Sequence, residues 1–87
     1  MNLITRLSAA RSVAISEIAS GCRELGFEPC FERGLEGTYA FDPAGRKLAT
    51  VRLVVSKRDV VLRLDLHSDP LRDAMLSRAA KRMAVVA

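Results

Sequence analysis

Between Leu48 and Leu66 the apolar and polar positions alternate, twice over. Successive strand residues point to opposite faces. Ala49, Val51, Leu53 and Val55 therefore share one face of a first run, and Val60, Leu62, Leu64 and Leu66 share one face of a second. A two-residue loop at Lys57-Arg58 sets Ser56 against Asp59, Val55 against Val60, Leu53 against Leu62, Val51 against Leu64 and Ala49 against Leu66. The two apolar sets coincide in that register, and a slip of one residue would separate them. On the other face the same register sets Arg52 against Arg63. Like charges directly opposite are unfavourable, so an anionic group should lie near them. Lys-Arg is not a favoured pair for a primed turn, and a longer loop is the alternative.

The remaining patterns place this hairpin in a domain. Ile4, Leu7, Ala14, Ile18, Cys22 and Leu25 recur at three- and four-residue spacing, broadened by Ile15, and predict a helix over residues 3–25. Asn2 suits its N-cap, and Gly26 its left-handed C′ position, with Phe27 folding back. Ser8, Ser12, Ser16 and Ser20 form a small polar row on the same helix. Residues 27–33 read as a strand with Phe27 and Phe31 on one face and Glu28, Cys30 and Glu32 on the other. Pro29 cannot donate to a ladder and assigns this strand to a sheet edge. Residues 38–42 read as the next strand, with Tyr39 and Phe41 inward. Asp42-Pro43-Ala44-Gly45 suits a type I turn. A final helix starts at Asp69-Pro70, with Asp69 as cap and Leu71, Met75, Ala79, Met83 and Val86 as its stripe. Arg78, Lys81 and Arg82 then complement the negative helix end.

These elements sum to a single two-layer α+β domain over residues 1–87: helix, four-stranded antiparallel meander, helix, with both helices on one sheet face. The other face is left open. Extending the register puts Glu32, Thr38, Arg52 and Arg63 in one row, which makes Glu32 the expected partner of the arginine pair.

Composition fits this picture and adds a charge layout. Hydrophobic content of 49% and charged content of 28% are those of a globular protein. No apolar run approaches a membrane span and no signal-peptide pattern is read, so no membrane partner is expected and the expected location is cytoplasmic. Cys22 and Cys30 fit a reducing compartment better than a disulfide framework. The net charge is +4. Residues 28–45 are acidic, whereas residues 46–63 hold Arg46, Lys47, Arg52, Lys57, Arg58 and Arg63 against Asp59 alone. Such clustering is the footprint of a polyanion binder. Those six cations are the candidate nucleic-acid or partner contacts.

Residues 25–51 also carry a resemblance. Gly26-Phe27 after the first helix, Gly34, the aromatic Tyr39 and the turn Pro43-Ala44-Gly45-Arg46 follow the pattern of HicA-type RNA-cleaving toxins. That family has a double-stranded-RNA-binding-domain-like fold of helix, three strands and helix. Leu35-Glu36 stands where the family has Ser-His, so the catalytic histidine is missing. A further strand, residues 59–66, precedes the last helix, and Asp69-Pro70-Leu71 replaces a basic helix start. The resemblance implies a fold relative without the activity.

His67 is the only histidine. A general base needs a nucleophile or orienting group beside it, and Asp65 and Asp69 are its sequence neighbours. Local bonding at a strand end is the simpler reading. No metal or cofactor is expected. Three functions remain. The first is a non-enzymatic binder of nucleic acid or a nucleoprotein complex through the basic hairpin. The second is a phage or mobile-element inhibitor of a host defence protein, anti-CRISPR-like, working by surface occupation through the open face, the 27–33 edge or the serine row. The third is a HicA-like ribonuclease using His67. Monomer and homodimer are both open.

Overall fold

The computed structural model describes residues 2–86, with side-chain surroundings through Met83. The element order is α1 (Leu3–Glu24), β1 (Cys30–Arg33), β2 (Thr38–Phe41), β3 (Lys47–Val55), β4 (Val60–Leu66) and α2 (Asp69–Val86). The strands form one antiparallel sheet in the order β1-β2-β3-β4, and both helices pack on one of its faces. The expected architecture is the observed one.

Helix α1 starts as its sequence dictates. Asn2 Oδ1 accepts from the Thr5 N–H at 2.8 Å, satisfying one of the free donors of the first turn. It ends in a Schellman motif: Gly26 N–H donates to Arg23 O and Phe27 N–H to Cys22 O, with Gly26 at φ 95°. That closure commits Phe27 to the helix end. Because Pro29 has no N–H, pairing begins only at Cys30, three residues later than the expected start. Helix α2 is capped by Ser68, not Asp69. Ser68 Oγ accepts from Leu71 N–H at 3.3 Å, and Asp69 instead pairs with Arg72 at 2.7 Å.

The core lies between α1, the start of α2 and the lower half of the sheet. Ile18, Cys22, Ala40, Leu48, Ala49, Val51 and Leu71 are buried, with Phe27, Phe31, Leu62, Leu66 and Met75 packed around them. The helices cross closely at Gly21, where a Cβ would lie 2.9 Å from Leu71 Cδ1. Arg78 and Arg82 reach back to Glu24 and Glu17 of α1 at 3.2 and 2.9 Å. They tie the two helices together rather than compensating the α2 end. Both apolar stripes pack over only part of their length. Ile4 is 76% and Met83 73% exposed, and Val86 lies outside the described side chains. The tip of the hairpin also projects past the helices: Leu53 and Val55 are exposed although they share a face with buried Ala49 and Val51.

The hairpin register is the expected one from Ala49↔Leu66 to Val55↔Val60. The loop is closed by Ser56 N–H donating to Asp59 O at 2.9 Å. No described non-glycine residue has positive φ, so Lys57-Arg58 turns without the primed geometry that it disfavours.

One expectation fails, and it changes the open face. Tyr39 and Phe41 do not point inward. Ala40 pairs with Ala49 and Thr38 with Val51, so Thr38 and Ala40 are the buried residues of β2. The physical reason is at the turn. Gly45 takes φ 84°, and the ladder shifts register between Ala40 and Phe41, leaving Lys47 opposite Phe41 and Ala49 opposite Ala40. The extra residue is a β-bulge. It presents the small side chains of β2 to the core and turns both rings to the helix-free face.

Candidate nucleic-acid interface

The open face is built from alternate residues of all four strands. Glu32, Tyr39, Thr50 and Asp65 form one row across it, and Arg52 and Arg63 stand opposite each other in the next. Glu32 is thus not in the arginine row, and its expected role falls to another residue. Asp65 settles the arginine pair. Its Oδ1 lies 2.9 Å from Arg63 Nε and its Oδ2 3.2 Å from Arg52 Nε. The hydrogen bond from Arg63, then the charges of Arg63 and Arg52, hold the Asp65 carboxyl below its ordinary value against the opposing effect of desolvation. Arg52 Nε is buried and its approach to Asp65 is not aligned as a hydrogen bond.

Asp42 does the same work at the β2–β3 turn. Its carboxylate accepts the Arg46 N–H and pairs with Arg46 Nε, each at 2.8 Å. The Arg46 N–H bond is the main reason its carboxyl is held below the ordinary range, again against desolvation. Three of the six expected contacts, Arg46, Arg52 and Arg63, are therefore ion-paired within the chain. Lys57 and Arg58 are exposed at the hairpin tip, away from the rows of the face. Lys47 stands over the Tyr39 ring, 4.5 Å from its centroid, a cation–π contact.

The structure also supplies two residues that patterning assigned elsewhere. Tyr39 and Phe41 are half-buried and meet edge to face, ring centroids 6.3 Å apart. The Tyr39 ring lies across Gly34, where no Cβ would fit. The sequence signal was the Asp-Pro-Ala-Gly turn, whose left-handed glycine announces a bulge and hence a register shift. His67 also reaches this face. Its Nε2 is 2.9 Å from Thr50 Oγ1, which is the local bonding expected of it. Among the described residues no group of three potential ligands could hold a metal ion. The cysteines occupy different layers, Cys22 on the buried side of α1 and Cys30 exposed on the sheet. Burial, followed by the Glu28 and Asp42 charges, pushes the Cys22 thiol up.

β1 is a four-residue edge, and Ser8, Ser12 and Ser16 are exposed along α1. No helix among the described residues is long and apolar enough to cross a membrane. No family model matches the chain, and no curated protein or solved structure matches it either.

Proposed function

We propose that this protein is a non-enzymatic binder of nucleic acid, and that the strand lies across the open sheet face. The observation that carries this reading is the placement of Tyr39 and Phe41 on the helix-free face with Lys47, Arg52 and Arg63, Arg46 preceding Lys47 at the adjoining turn. Aromatic rings interleaved with cations are what a single strand uses: bases stack on the rings while phosphates meet the cations. Lys47 is exposed, so it can swing from the Tyr39 ring to a phosphate when a base takes its place. The ion pairs with Asp42 and Asp65 fix Arg46, Arg52 and Arg63 in position, at the cost of part of their charge. Lys57 and Arg58 extend the cationic path at the hairpin tip.

A second reading is favoured by those same carboxylates. A face on which cations alternate with Glu32 and Asp65 also suits a protein surface of mixed charge, as an inhibitor acting by surface occupation would use. Affinity capture with and without nuclease separates the two. The nucleic-acid reading expects bound material that nuclease removes. A partner retained equally after nuclease treatment would replace it with the protein reading.

A further inference from the structure

We infer that the protein pairs with a second copy of itself through β4, edge to edge and antiparallel, to make one continuous eight-stranded sheet. The two sheet edges are unlike. β1 has four residues and follows a proline. β4 has seven residues, no proline and no bulge, and among the described residues no strand pairs with its outer side. A long, regular, uncovered edge is a template for another strand.

The ladder identifies which groups are free. Ser56 N–H donates to Asp59 O and His67 N–H to Leu48 O. By the alternation of antiparallel bonding, Val61, Arg63 and Asp65 therefore bond β3, while Val60, Leu62, Leu64 and Leu66 direct their N–H and C=O groups outward. The two ends of this edge are already occupied. Val60 N–H donates to Asp59 Oδ1 at 2.9 Å, and Leu66 O accepts from Arg72 at 3.0 Å. The middle is open.

A two-fold axis through an antiparallel pair passes opposite one residue of each strand; at Arg63 or Asp65 it would set like charges against each other, which leaves the outward-bonding Leu62 and Leu64 at the middle of the edge. If it passed at Leu62, Leu64 would need the single proton of Val60 N–H, which Asp59 holds. If it passes at Leu64, Leu62 meets Leu66 of the second copy, whose carbonyl has a second lone pair for the bond. That register also sets Arg63 against Asp65 of the second copy, in both directions, and brings Leu62, Leu64 and Leu66 together on the helix side. Charge and apolar complementarity select the same register as the hydrogen bonds.

The exposed area agrees. The chain exposes 6203 Å² of surface, against about 5,000 Å² for a folded monomer of its mass. Part of that surplus lies on β4. Val61 and Leu64, at 48% and 36% exposure, are large apolar side chains on this strand.

The test is sedimentation of the full chain, with two kinds of variant. The wild type should sediment at twice the 9.5 kDa chain mass. Leu64→Pro removes an outward N–H without touching the β3 ladder, as proline does on edge strands. It should sediment at the chain mass while keeping the far-ultraviolet circular dichroism and cooperative unfolding of the wild type. In a Cys30→Ser background, Leu64→Cys should oxidise to a covalent dimer, because facing Cα atoms in this register lie within disulfide reach. Leu62→Cys should not, since the two copies of residue 62 would be ~14 Å apart. A wild type that stays at the chain mass at micromolar concentration overturns the inference. A dimer that Leu64→Pro leaves intact, or that cross-links at residue 62 and not 64, overturns it too. Oligomeric state is read without nucleic acid, so either result leaves the binding proposal to be judged separately.

Discussion

Arg52 Nε lies 3.2 Å from Asp65 Oδ2, across the β3–β4 ladder and one step out of register. The same carboxylate takes Arg63, the residue directly opposite Arg52. One anion thus resolves a like-charge pair that the apolar register forces on the sheet. Removing it should leave two facing guanidinium groups unscreened. Asp65→Asn should lower the urea midpoint, whereas Glu32→Gln should change stability by no more than about 0.5 kcal/mol. Equal effects of the two substitutions would return Glu32 to the arginine pair.

The depressed Asp65 and Asp42 carboxyls carry a pH signature. Each binds its proton less readily in the folded chain, so unfolding takes up protons in acid and stability rises with pH there. The contribution is complete above the ordinary value of 3.8 and is lost as the pH falls through the lower folded values. Denaturant titrations from neutral pH to pH ~2 should show this acid limb, which spans the ordinary carboxylate range. The limb should be shallower in Asp65→Asn, and an unchanged limb would remove Asp65 from the acid transition.

Much of the fold was legible because short-range signals agreed. The 49–66 register followed from two alternating sets that meet in only one alignment, and Asn2 and Gly26 marked the α1 ends by cap chemistry. The faces of β2 were not legible from hydrophobicity. Tyr39 and Phe41 are the larger apolar residues, yet Thr38 and Ala40 take the inside. The bulge at Leu48 carries that choice into the β2–β3 register, while β3 and β4 keep their expected alignment. Asp65 was visible as a charge but not as the partner of Arg52, because the pairing is diagonal. The six cations were legible as a cluster, but the pairing of Arg46, Arg52 and Arg63 with Asp42 and Asp65 depended on side-chain geometry.

The two left-handed glycines at turns should differ in tolerance. At Gly37, φ is 150° and a Cβ would strike the Val51 carbonyl and the Arg52 backbone. At Gly45, φ is 84° and the space is open. Gly45→Ala should cost about 1–2 kcal/mol, the conformational penalty alone. Gly37→Ala should cost more, since backbone strain and a clash with main-chain atoms add. Urea unfolding of the pair measures the order, and a smaller loss at Gly37 would contradict it.

The partial packing of α1 predicts a contrast along one helix. Ile18 is fully buried and Ile4 is 76% exposed. Ile18→Ala should destabilise by about 2–5 kcal/mol, while Ile4→Ala should stay within about 0.5 kcal/mol. Comparable losses at both sites would mean that the N-terminal half of α1 is packed as well.

On the open face, Tyr39→Leu and Phe41→Leu should each weaken single-stranded binding by ~1–3 kcal/mol, the worth of one stacked base. Duplex binding should change little, because paired bases present no free ring face. Loss of both in parallel would point to a disturbed sheet, which thermal unfolding of the two variants detects.

The central claim is that nucleic acid crosses this face, held by phosphates on cations and bases on rings. The most direct measurement is the fluorescence anisotropy of a labelled single-stranded oligonucleotide titrated with the protein over a series of salt concentrations. The account predicts saturable binding whose log Kd rises against log salt with a slope of about 3, as expected if Arg46, Lys47, Arg52 and Arg63 each neutralise one phosphate. It also predicts tighter binding to the single strand than to the duplex. Binding that is absent, or independent of salt, would contradict it.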